Sequence, residues 1–311
     1  MFEEAWLEEF GFSFEEFIAV LGAFRDLLEA KRQACVSISI VNLREYLTEK
    51  TGLSSESLDA FFDTFSLRPR SPWNEAPEGM LSSAWQPWRF QRQLSLVSRP
   101  IILLDDTEEA ECIFAPAMVL EHLIKFATDA RTGSIDQKFF RNNGKMFKWI
   151  NMINGREGEA FNDIVADEFR NIGWKAVSNL SDGQLLNRRK KPSFGDVDVF
   201  AWDAETQRVL VIECKDLSFD KNMSEISKRL VKYRGEKRSN GKRDDLLKHI
   251  DRCVDIEDNI AELRNTTGFD VKEIERVIVF SQPTPMQFSD ITGKHSIKVC
   301  TLKDIEEVYR L

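Results

Sequence analysis

The sequence predicts an α/β protein with a mainly α-helical domain over residues 1–150 and a domain with a central mixed sheet over residues 151–311. A chain of 311 residues is long enough for two domains. In the first half, apolar residues recur at helical spacing. In the second half, short apolar segments rich in β-branched residues alternate with helical patterns in the order α-β-β-β-α-β, which predicts a sheet flanked by helices.

The helices of the first half begin at recognisable capping residues. Ser13-Phe14-Glu15-Glu16 has the pattern of a capping box and predicts a helix that ends near Ala34. Further helices are predicted over residues 42–52 and from Ser54 or Ser55 onward. This pair has the outline of a helix-turn-helix, but its second helix has Glu56, Asp59 and Asp63 and no basic residue. Packing or contact with a protein is therefore favoured over DNA reading.

Residues 68–100 combine prolines, which interrupt regular structure, with alternating aromatic and basic residues. The segment contains Arg68, Arg70, Trp73, Trp85, Trp88, Arg89, Phe90, Arg92 and Arg99. Two interpretations stay open: the segment binds single-stranded nucleic acid by stacking, or it is an ordered loop packed on its own domain. Beyond it, the sequence predicts a hairpin of residues 101–104 and 111–114, then helices over 116–130 and 138–151.

The second half supplies the sheet. A helix is expected to start at Gly158-Glu159 and to end at Gly173, followed by a strand from Trp174 to Leu180. Two strands, over residues 195–202 and 208–216, are then predicted to form a hairpin. The later elements are helices over 224–233 and 244–264, strands over 277–280 and 297–301, and a helix over 302–311. The long connection after the hairpin predicts that the last two strands join the sheet in parallel.

The hairpin brings ionisable groups together. If Glu205 and Thr206 form its tip, Asp198 lies directly opposite Glu213, with their Cβ atoms roughly 5 Å apart. Lys215 follows Glu213 by two residues and points to the same face. Two adjacent carboxylates repel each other unless a cation lies between them, and a hard divalent cation fits such ligands. The main-chain carbonyl of Cys214 is a natural further ligand, and this equipment is typical of metal-assisted phosphodiester hydrolysis.

These residues resemble the PD-(D/E)XK, or restriction-endonuclease-like, nuclease superfamily over residues of about 155–311. Asp198 matches the metal-binding aspartate, with Asp196 as a second candidate, and Glu213-Cys214-Lys215 matches the E-x-K element. Glu159 resembles the first-helix glutamate that many members direct at the metal. Val197 replaces the proline of the motif, as in many members. The resemblance implies a restriction-endonuclease-like αβββαβ core and a nuclease that uses Mg²⁺ or Mn²⁺, of a restriction, defence or repair type.

Local basic residues favour DNA as the substrate, with RNA left open, although the whole chain has a net charge of -9. The predicted nucleic-acid contacts are Arg188, Arg189, Lys190, Lys191, Lys228 and Lys232. Solvated surface charge is the alternative interpretation of these residues. For the whole domain, the alternative is a catalytically silent nuclease-like module that binds nucleic acid or a partner protein.

Other classes of protein are disfavoured. The five cysteines are scattered without C-x-x-C spacing, which favours a reducing compartment over a disulfide framework or a zinc site. The sequence shows no export signal, membrane-spanning run, phosphate-binding P-loop or dinucleotide fingerprint. We therefore expect a cytoplasmic protein that does not act on a membrane. Its aromatic N-terminal helices are expected to serve recognition or assembly, as a homodimer or with a partner protein.

Overall fold

The computed structural model describes residues 1–70, 74–75, 77, 85–86, 92–135, 137–187, 195–217, 223–238, 240–288 and 295–310. The chain forms two compact units, Met1–Asn154 and Gly155–Leu311. The sequence prediction placed this division at residue 150. The overall class is the predicted one: a mixed α/β protein with a mainly helical N-terminal part.

The N-terminal unit contains the predicted helices and one that the sequence did not predict. Its helices are α1 (Phe2–Phe10), α2 (Phe14–Lys31), α3 (Ile40–Thr51), α4 (Ser55–Phe65) and α5 (Pro116–Thr132). The capping box at the start of α2 is confirmed: the Glu16 amide donates to Ser13 Oγ at 3.1 Å, and the Ser13 amide donates to the Glu16 carboxylate at 2.6 Å. Helix α1 was missed because no side-chain cap marks its start.

A four-stranded sheet accompanies these helices, with the strand order β1-β4-β3-β2. The strands are β1 (Val36–Ser39), β2 (Ser66–Leu67), β3 (Ile101–Leu103) and β4 (Glu111–Phe114). The predicted hairpin is present as the antiparallel pair β3–β4, whereas β1 and β2 were not predicted. Helix α4 buries Leu58, Phe61, Phe62 and Phe65 in an aromatic core. Its apolar face is therefore used for packing within the unit.

One helix replaces two predicted ones. Helix α6 runs without interruption from Lys145 to Asn171, and the division between the two units falls within it. The predictions of separate helices over residues 138–151 and from residue 158 are wrong. Gly158 was interpreted as the start of a helix, but it lies inside α6, where a glycine costs only about 1 kcal/mol relative to alanine.

The C-terminal unit has a five-stranded mixed sheet in the order β5-β6-β7-β8-β9. Its strands are β5 (Lys175–Leu180), β6 (Val197–Asp203), β7 (Arg208–Lys215), β8 (Glu273–Phe280) and β9 (Ile297–Thr301). Strands β5, β6 and β7 are antiparallel neighbours, whereas β8 and β9 join in parallel, which confirms the predicted topology.

Helices cover both faces of this sheet. The further helices are α7 (Asp182–Leu185), α8 (Met223–Val231), α9 (Asp245–Asp258), α10 (Arg264–Thr267) and α11 (Ile305–Tyr309). Helix α6 packs on one face through Phe161, Val165 and Phe169, against a cluster that includes Val199 and Ile212. Helix α9 packs on the other face through Cys253 and Ile256, against a cluster that includes Phe200 and Val211. Alternate residues of β6 and β7 therefore point to α6 and to α9.

The last two predicted helices are shorter than expected. Helix α9 ends at Asp258, and the chain continues as a 3₁₀ turn over Ile260–Leu263 before α10. A 3₁₀ turn over Leu302–Asp304 likewise precedes α11.

No helix within the described residues is both long enough and apolar enough to cross a membrane.

Candidate active site

The register of the β6–β7 hairpin is the one that the sequence predicted. Val199 pairs with Ile212 and Phe200 with Val211, so one step further along the strands Asp198 faces Glu213. The last pair before the turn is Asp203–Arg208, which places Glu205 and Thr206 at the tip. The geometry of this short turn sets which residues face each other on the two strands.

The carboxylate of Asp203 stabilises the turn that sets this register. It accepts hydrogen bonds from the main-chain amides of Thr206 at 2.8 Å and Glu205 at 3.3 Å. In such Asx-turns, an aspartate side chain accepts hydrogen bonds from main-chain amides that do not pair with the neighbouring strand. Asp203 is buried, whereas Glu205 and Thr206 are exposed. The buried carboxylate of Asp203 therefore holds the main chain of the exposed tip.

At the other end of the hairpin, Asp198 contacts the backbone of the partner strand. The described ladder of β6 with β7 ends at Val199–Ile212, and the amide of Cys214 donates instead to Asp198 Oδ2 at 2.8 Å. Burial, together with the negative charge of Glu213, raises the pKa of Asp198 to about 6. Ionisation of Asp198 therefore costs more free energy than that of an exposed aspartate, and a bound cation would reduce this cost.

Glu213 has the opposite electrostatic setting. Its side chain is buried, with Oε1 2.5 Å from Lys215 Nζ and Oε2 2.6 Å from Arg252 Nη1. Burial alone would raise the pKa of Glu213, but the charges of Lys215 and Arg252 hold it at about 2. The carboxylates of Glu213 and Asp198 likewise raise the pKa of Lys215, although burial opposes this. Glu213 is thus ionised and Lys215 protonated at neutral pH.

Two residues of α9 complete this cluster, and the sequence analysis did not identify them as part of the site. Arg252 is buried and donates to Glu213, as described above. His249 is fully buried, with Nδ1 3.8 Å from Glu213 Oε2, and burial lowers its pKa to about 4. His249 is therefore neutral at pH 7. The available signal was an arginine on the apolar face of a helix, one residue before Cys253.

Asp244 caps the N-terminus of helix α9. This buried carboxylate caps the helix by accepting from the Leu247 amide at 2.7 Å. Its other oxygen accepts from the main-chain amides of Arg234 and Glu236, each at 3.0 Å. The same side chain therefore ties the basic segment before α9 to the helix that carries Arg252.

The segment that enters β6 fits around Arg252. Gly195 has φ of 82°, a left-handed conformation that glycine adopts without strain. A Cβ atom at this position would lie 3.4 Å from Arg252 Nη2. Asp196, the second candidate aspartate, is exposed and precedes the first residue of β6. Among the described residues it forms no ion pair.

The structure does not bring Glu159 to the carboxylate pair. Glu159 was expected near the start of a helix directed at the metal, but it lies in the interior of α6 and is exposed. Helix α6 packs on the sheet face formed by Val199 and Ile212. Asp198 and Glu213 are the next residues along their strands, so they point to the opposite face, on which α9 packs. Within the described part of the chain, Glu159 contacts neither carboxylate by an ion pair or hydrogen bond.

The predicted nucleic-acid contacts are described only in part. Arg188, Arg189, Lys190 and Lys191 lie outside the described residues. Lys228 is a residue of helix α8, but its side chain lies outside the part of the chain that the structure describes. Lys232 is exposed just beyond the end of α8. Of the neighbouring basic residues, Arg234 and Lys237 are exposed, and Arg243 pairs with Asp251 at 3.0 Å.

The residues at this site fit a divalent cation with few protein ligands. Asp198 and Glu213 offer two carboxylates, and a hard cation fills its remaining positions with carbonyl and water oxygens. A cation beside Asp198 would also relieve the cost that raises its pKa. In the portion of the chain that is described, no group of three or more His, Cys, Asp or Glu side chains is arranged to hold a metal. A cation here would therefore depend on the carboxylate pair, the Cys214 carbonyl and water.

The buried charge of Asp198 predicts how the stability of the metal-free protein depends on pH. Because its pKa is raised to about 6 in the folded state, the stability that its protonated form contributes is present at low pH and is lost as pH rises through 6. At pH 8, Asp198→Asn should therefore unfold with a free energy about 3 kcal/mol larger than that of the unsubstituted chain. The two should be nearly equally stable at pH 4. Urea unfolding with chelator at several pH values measures this difference.

Asp203→Asn is the matched control on the same hairpin. Although burial opposes it, the hydrogen bonds from Thr206 and Glu205 lower the pKa of Asp203. The contribution of Asp203 is therefore present above its unfolded pKa, so its asparagine variant should be less stable at neutral pH. If Asp198→Asn were also destabilising at pH 8, Asp198 would be a structural acceptor for the Cys214 amide and not a carboxylate held without its cation.

Comparison with known proteins identifies the family. The family model described as anti-phage protein Upx-like matches residues 1–306, which is almost the whole chain. No curated protein and no solved structure matches the chain. The chain therefore belongs to the family of Upx-like anti-phage proteins.

Proposed function

We propose that this Upx-like anti-phage protein is a divalent-metal-dependent endonuclease of the PD-(D/E)XK type, which hydrolyses phosphodiester bonds of DNA in defence against phage. The family match is compatible with a defence role. One observation carries the nuclease assignment: Asp198 and Glu213 meet from two adjacent strands, and Lys215 Nζ lies 2.5 Å from Glu213 Oε1. Two carboxylates that can hold a cation and a lysine that can orient water are equipment suited to metal-assisted hydrolysis of a phosphodiester.

The surrounding architecture supports this assignment. The unit has the αβββαβ order expected of a restriction-endonuclease-like core, with the candidate residues at the ends of neighbouring strands. The β6–β7 ladder ends beside Asp198, so the carboxylate bonds to the backbone of β7 through the Cys214 amide. Such a position leaves Asp198 Oδ1 without a hydrogen-bond partner among the described residues, and therefore open to a ligand.

The roles of the residues follow from their charges. Mg²⁺ or Mn²⁺, held by Asp198, Glu213 and the Cys214 carbonyl, would supply Lewis-acid activation of a water molecule and of the scissile phosphate. Lys215, which is protonated, would orient that water by donating a hydrogen bond to it, and its positive charge would favour loss of the water's proton to solvent. Arg252 holds the second oxygen of Glu213, so it fixes the orientation of this carboxylate. Glu159 has no part in this assignment, because it is exposed on α6.

DNA binding is assigned to the basic residues that flank the hairpin. Arg188, Arg189, Lys190 and Lys191 precede it in the sequence, while Lys228 and Lys232 follow it. Such residues neutralise backbone phosphates whatever the base sequence, and local positive charge is sufficient even in an acidic protein. The N-terminal unit is proposed to contribute recognition or assembly, with a second copy or with another protein.

A second candidate function is a catalytically silent nuclease-like module. Both oxygens of Glu213 are already paired, with Lys215 and with Arg252, and this arrangement also suits a structural ion-pair network. A silent module would keep this network to stabilise the fold and would bind nucleic acid without cleaving it. The unbonded oxygen and raised pKa of Asp198 favour the nuclease, because a purely structural network gains nothing from a buried aspartate whose ionisation is opposed by burial and by Glu213.

DNA cleavage with and without chelator distinguishes the two candidates. We expect the purified chain to cleave plasmid or linear DNA with Mg²⁺ or Mn²⁺ and to stop when the metal is chelated. Glu213→Gln should abolish cleavage, since it removes a charged ligand. Glu205→Gln, at the exposed tip of the same hairpin, should cleave like the unsubstituted chain. Double-stranded and single-stranded DNA and RNA should all be tested. Intact substrates with every metal would establish the silent module instead.

A further inference from the structure

A small cavity in the N-terminal unit is rich in positive charge. It has a volume of about 350 Å³ and lies beside β2. Its described lining includes four arginines, Arg68, Arg70, Arg92 and Arg99, and no aspartate or glutamate. These arginines come from the aromatic and basic segment of residues 68–100, which the proposed nuclease chemistry does not use. The cavity therefore presents a concentration of guanidinium groups that the first proposal leaves unexplained.

The arginines are not all neutralised by the protein. Arg68 pairs with Asp63 at 2.9 Å. Arg99 Nη1 instead donates to the main-chain carbonyls of Asp63 at 2.7 Å and Ser66 at 3.2 Å. Burial lowers the pKa of Arg99, which shows that its charge is held at a cost. The guanidinium of Arg92 has neither a hydrogen bond nor an ion pair with any residue that the structure describes. An anion in the cavity would supply the missing acceptors.

Two buried polar atoms at the cavity also lack partners. The indole Nε1 of Trp85 and the hydroxyl of Ser66 are buried, with their residues 8% and 1% exposed, and neither bonds to any described atom. Both residues line the cavity. A buried donor without an acceptor costs about 1–3 kcal/mol, so such atoms are normally satisfied by a ligand or water. A bound phosphate would accept hydrogen bonds from both.

Aromatic surface adjoins the arginines. The guanidinium of Arg70 lies 5.2 Å from the ring centroid of Trp85, a cation–π arrangement that holds a flat surface at the cavity. Arg99 also lines a second cavity of about 830 Å³, whose walls include Phe65, Phe126 and His122. His122 Nε2 is buried and likewise has no partner within the described residues. Aromatic walls with a few polar groups are typical of sites for planar ligands.

We propose that the N-terminal unit binds a nucleotide through this arginine cavity. The phosphate would contact Arg92, Arg99 and the Trp85 indole, while the base would lie against the aromatic residues of the second cavity, which Arg99 also lines. The same chemistry could come from a free mononucleotide or from the phosphorylated end of a nucleic-acid strand. This site shares no residue with the carboxylate pair, so nucleotide binding can be tested independently of the proposed nuclease activity.

Calorimetry on the full chain, with chelator present, tests this site. The probes are adenosine 5′-monophosphate, inorganic phosphate, adenosine, and a 5′-phosphorylated oligodeoxyadenylate. We expect saturable binding of the monophosphate, at least about tenfold tighter than that of phosphate or adenosine alone, because only it makes both kinds of contact. If the oligonucleotide binds tighter still, the source is a strand end. If it binds no tighter, the source is a free nucleotide.

Three variants locate the binding. Arg92→Gln should weaken it at least about tenfold, since it removes a charge that makes no other described contact. Trp85→Phe keeps an aromatic ring but removes the unpaired N–H donor, and it should also weaken binding without loss of thermal stability. Arg25→Gln, an exposed arginine on α2 outside the cavity, is the control and should bind like the unsubstituted chain. The site is wrong if no probe saturates, if phosphate binds as tightly as the monophosphate, or if Arg92→Gln has no more effect than Arg25→Gln.

Discussion

Lys215→Ala should slow the cleavage step by about 10²-fold or more while the chain still binds Mn²⁺ and DNA. Lys215 is charged and contacts Glu213 Oε1, but it is not a ligand of the proposed cation. Its loss removes the group that acts on the attacking water and leaves both carboxylates in place. Because it also removes a positive charge beside the cation, metal affinity should be equal or higher. Single-turnover cleavage measured together with calorimetric Mn²⁺ titration gives both quantities.

Asp198→Asn is the companion variant and should fail at an earlier stage. It removes a charged ligand, so Mn²⁺ binding should weaken and cleavage should be lost with it. If Lys215→Ala cleaves DNA at the rate of the unsubstituted chain, Lys215 only forms an ion pair with Glu213 and has no role in cleavage. Undiminished Mn²⁺ binding by Asp198→Asn would turn attention to Asp196, the exposed aspartate that precedes β6.

Arg252→Met should destabilise the metal-free chain by about 3–5 kcal/mol, because it leaves the buried carboxylate of Glu213 with one cation in place of two. Methionine keeps much of the volume of the arginine stem, so the loss reports on charge more than on packing. Added Mn²⁺ should recover part of this stability, since a bound cation replaces the missing charge. Urea unfolding with chelator and with Mn²⁺ gives the two values.

Arg264→Met is the matched control for this experiment. Arg264 forms an exposed ion pair with Asp270 at 3.1 Å, and such pairs contribute about 0–1 kcal/mol. Its substitution should change stability little, and Mn²⁺ should not restore what is lost. If Arg252→Met proved as stable as the control, Arg252 would not support Glu213, and the orientation of that carboxylate would depend on Lys215 alone.

The central pair of the site could be predicted because it depends on local rules. The strand period of two residues and a short turn determine which residues face each other, so Asp198 and Glu213 follow from the sequence once the tip is placed. Asp203, at the turn, strengthens this register through hydrogen bonds to its neighbours. The helix starts in the N-terminal unit were accessible for the same reason, since caps act within one turn of helix.

What could not be predicted depends on contacts between residues far apart in the chain. Arg252 follows Glu213 by 39 residues, and only the packing of α9 on the sheet brings the two together. Glu159 was expected near the start of a helix because Gly158 was interpreted as that start, whereas α6 is continuous through Gly158 and has buried residues both before and after it. Helix α6 then covers the sheet face opposite the carboxylates. The first-helix glutamate of the resemblance therefore has no counterpart at this position.

Crystals of the chain grown or soaked with Mn²⁺ offer the most direct test of the central claim, that the β6–β7 hairpin holds a catalytic cation. We predict one anomalous peak between Asp198 and Glu213, about 2.1 Å from an oxygen of each, with Lys215 Nζ moved from Glu213 Oε1 toward a metal-bound water. The contradicting result is an empty position at saturating Mn²⁺, with Lys215 and Arg252 still paired to Glu213. In that case the hairpin would hold a structural ion-pair network, and the chain would be a silent module.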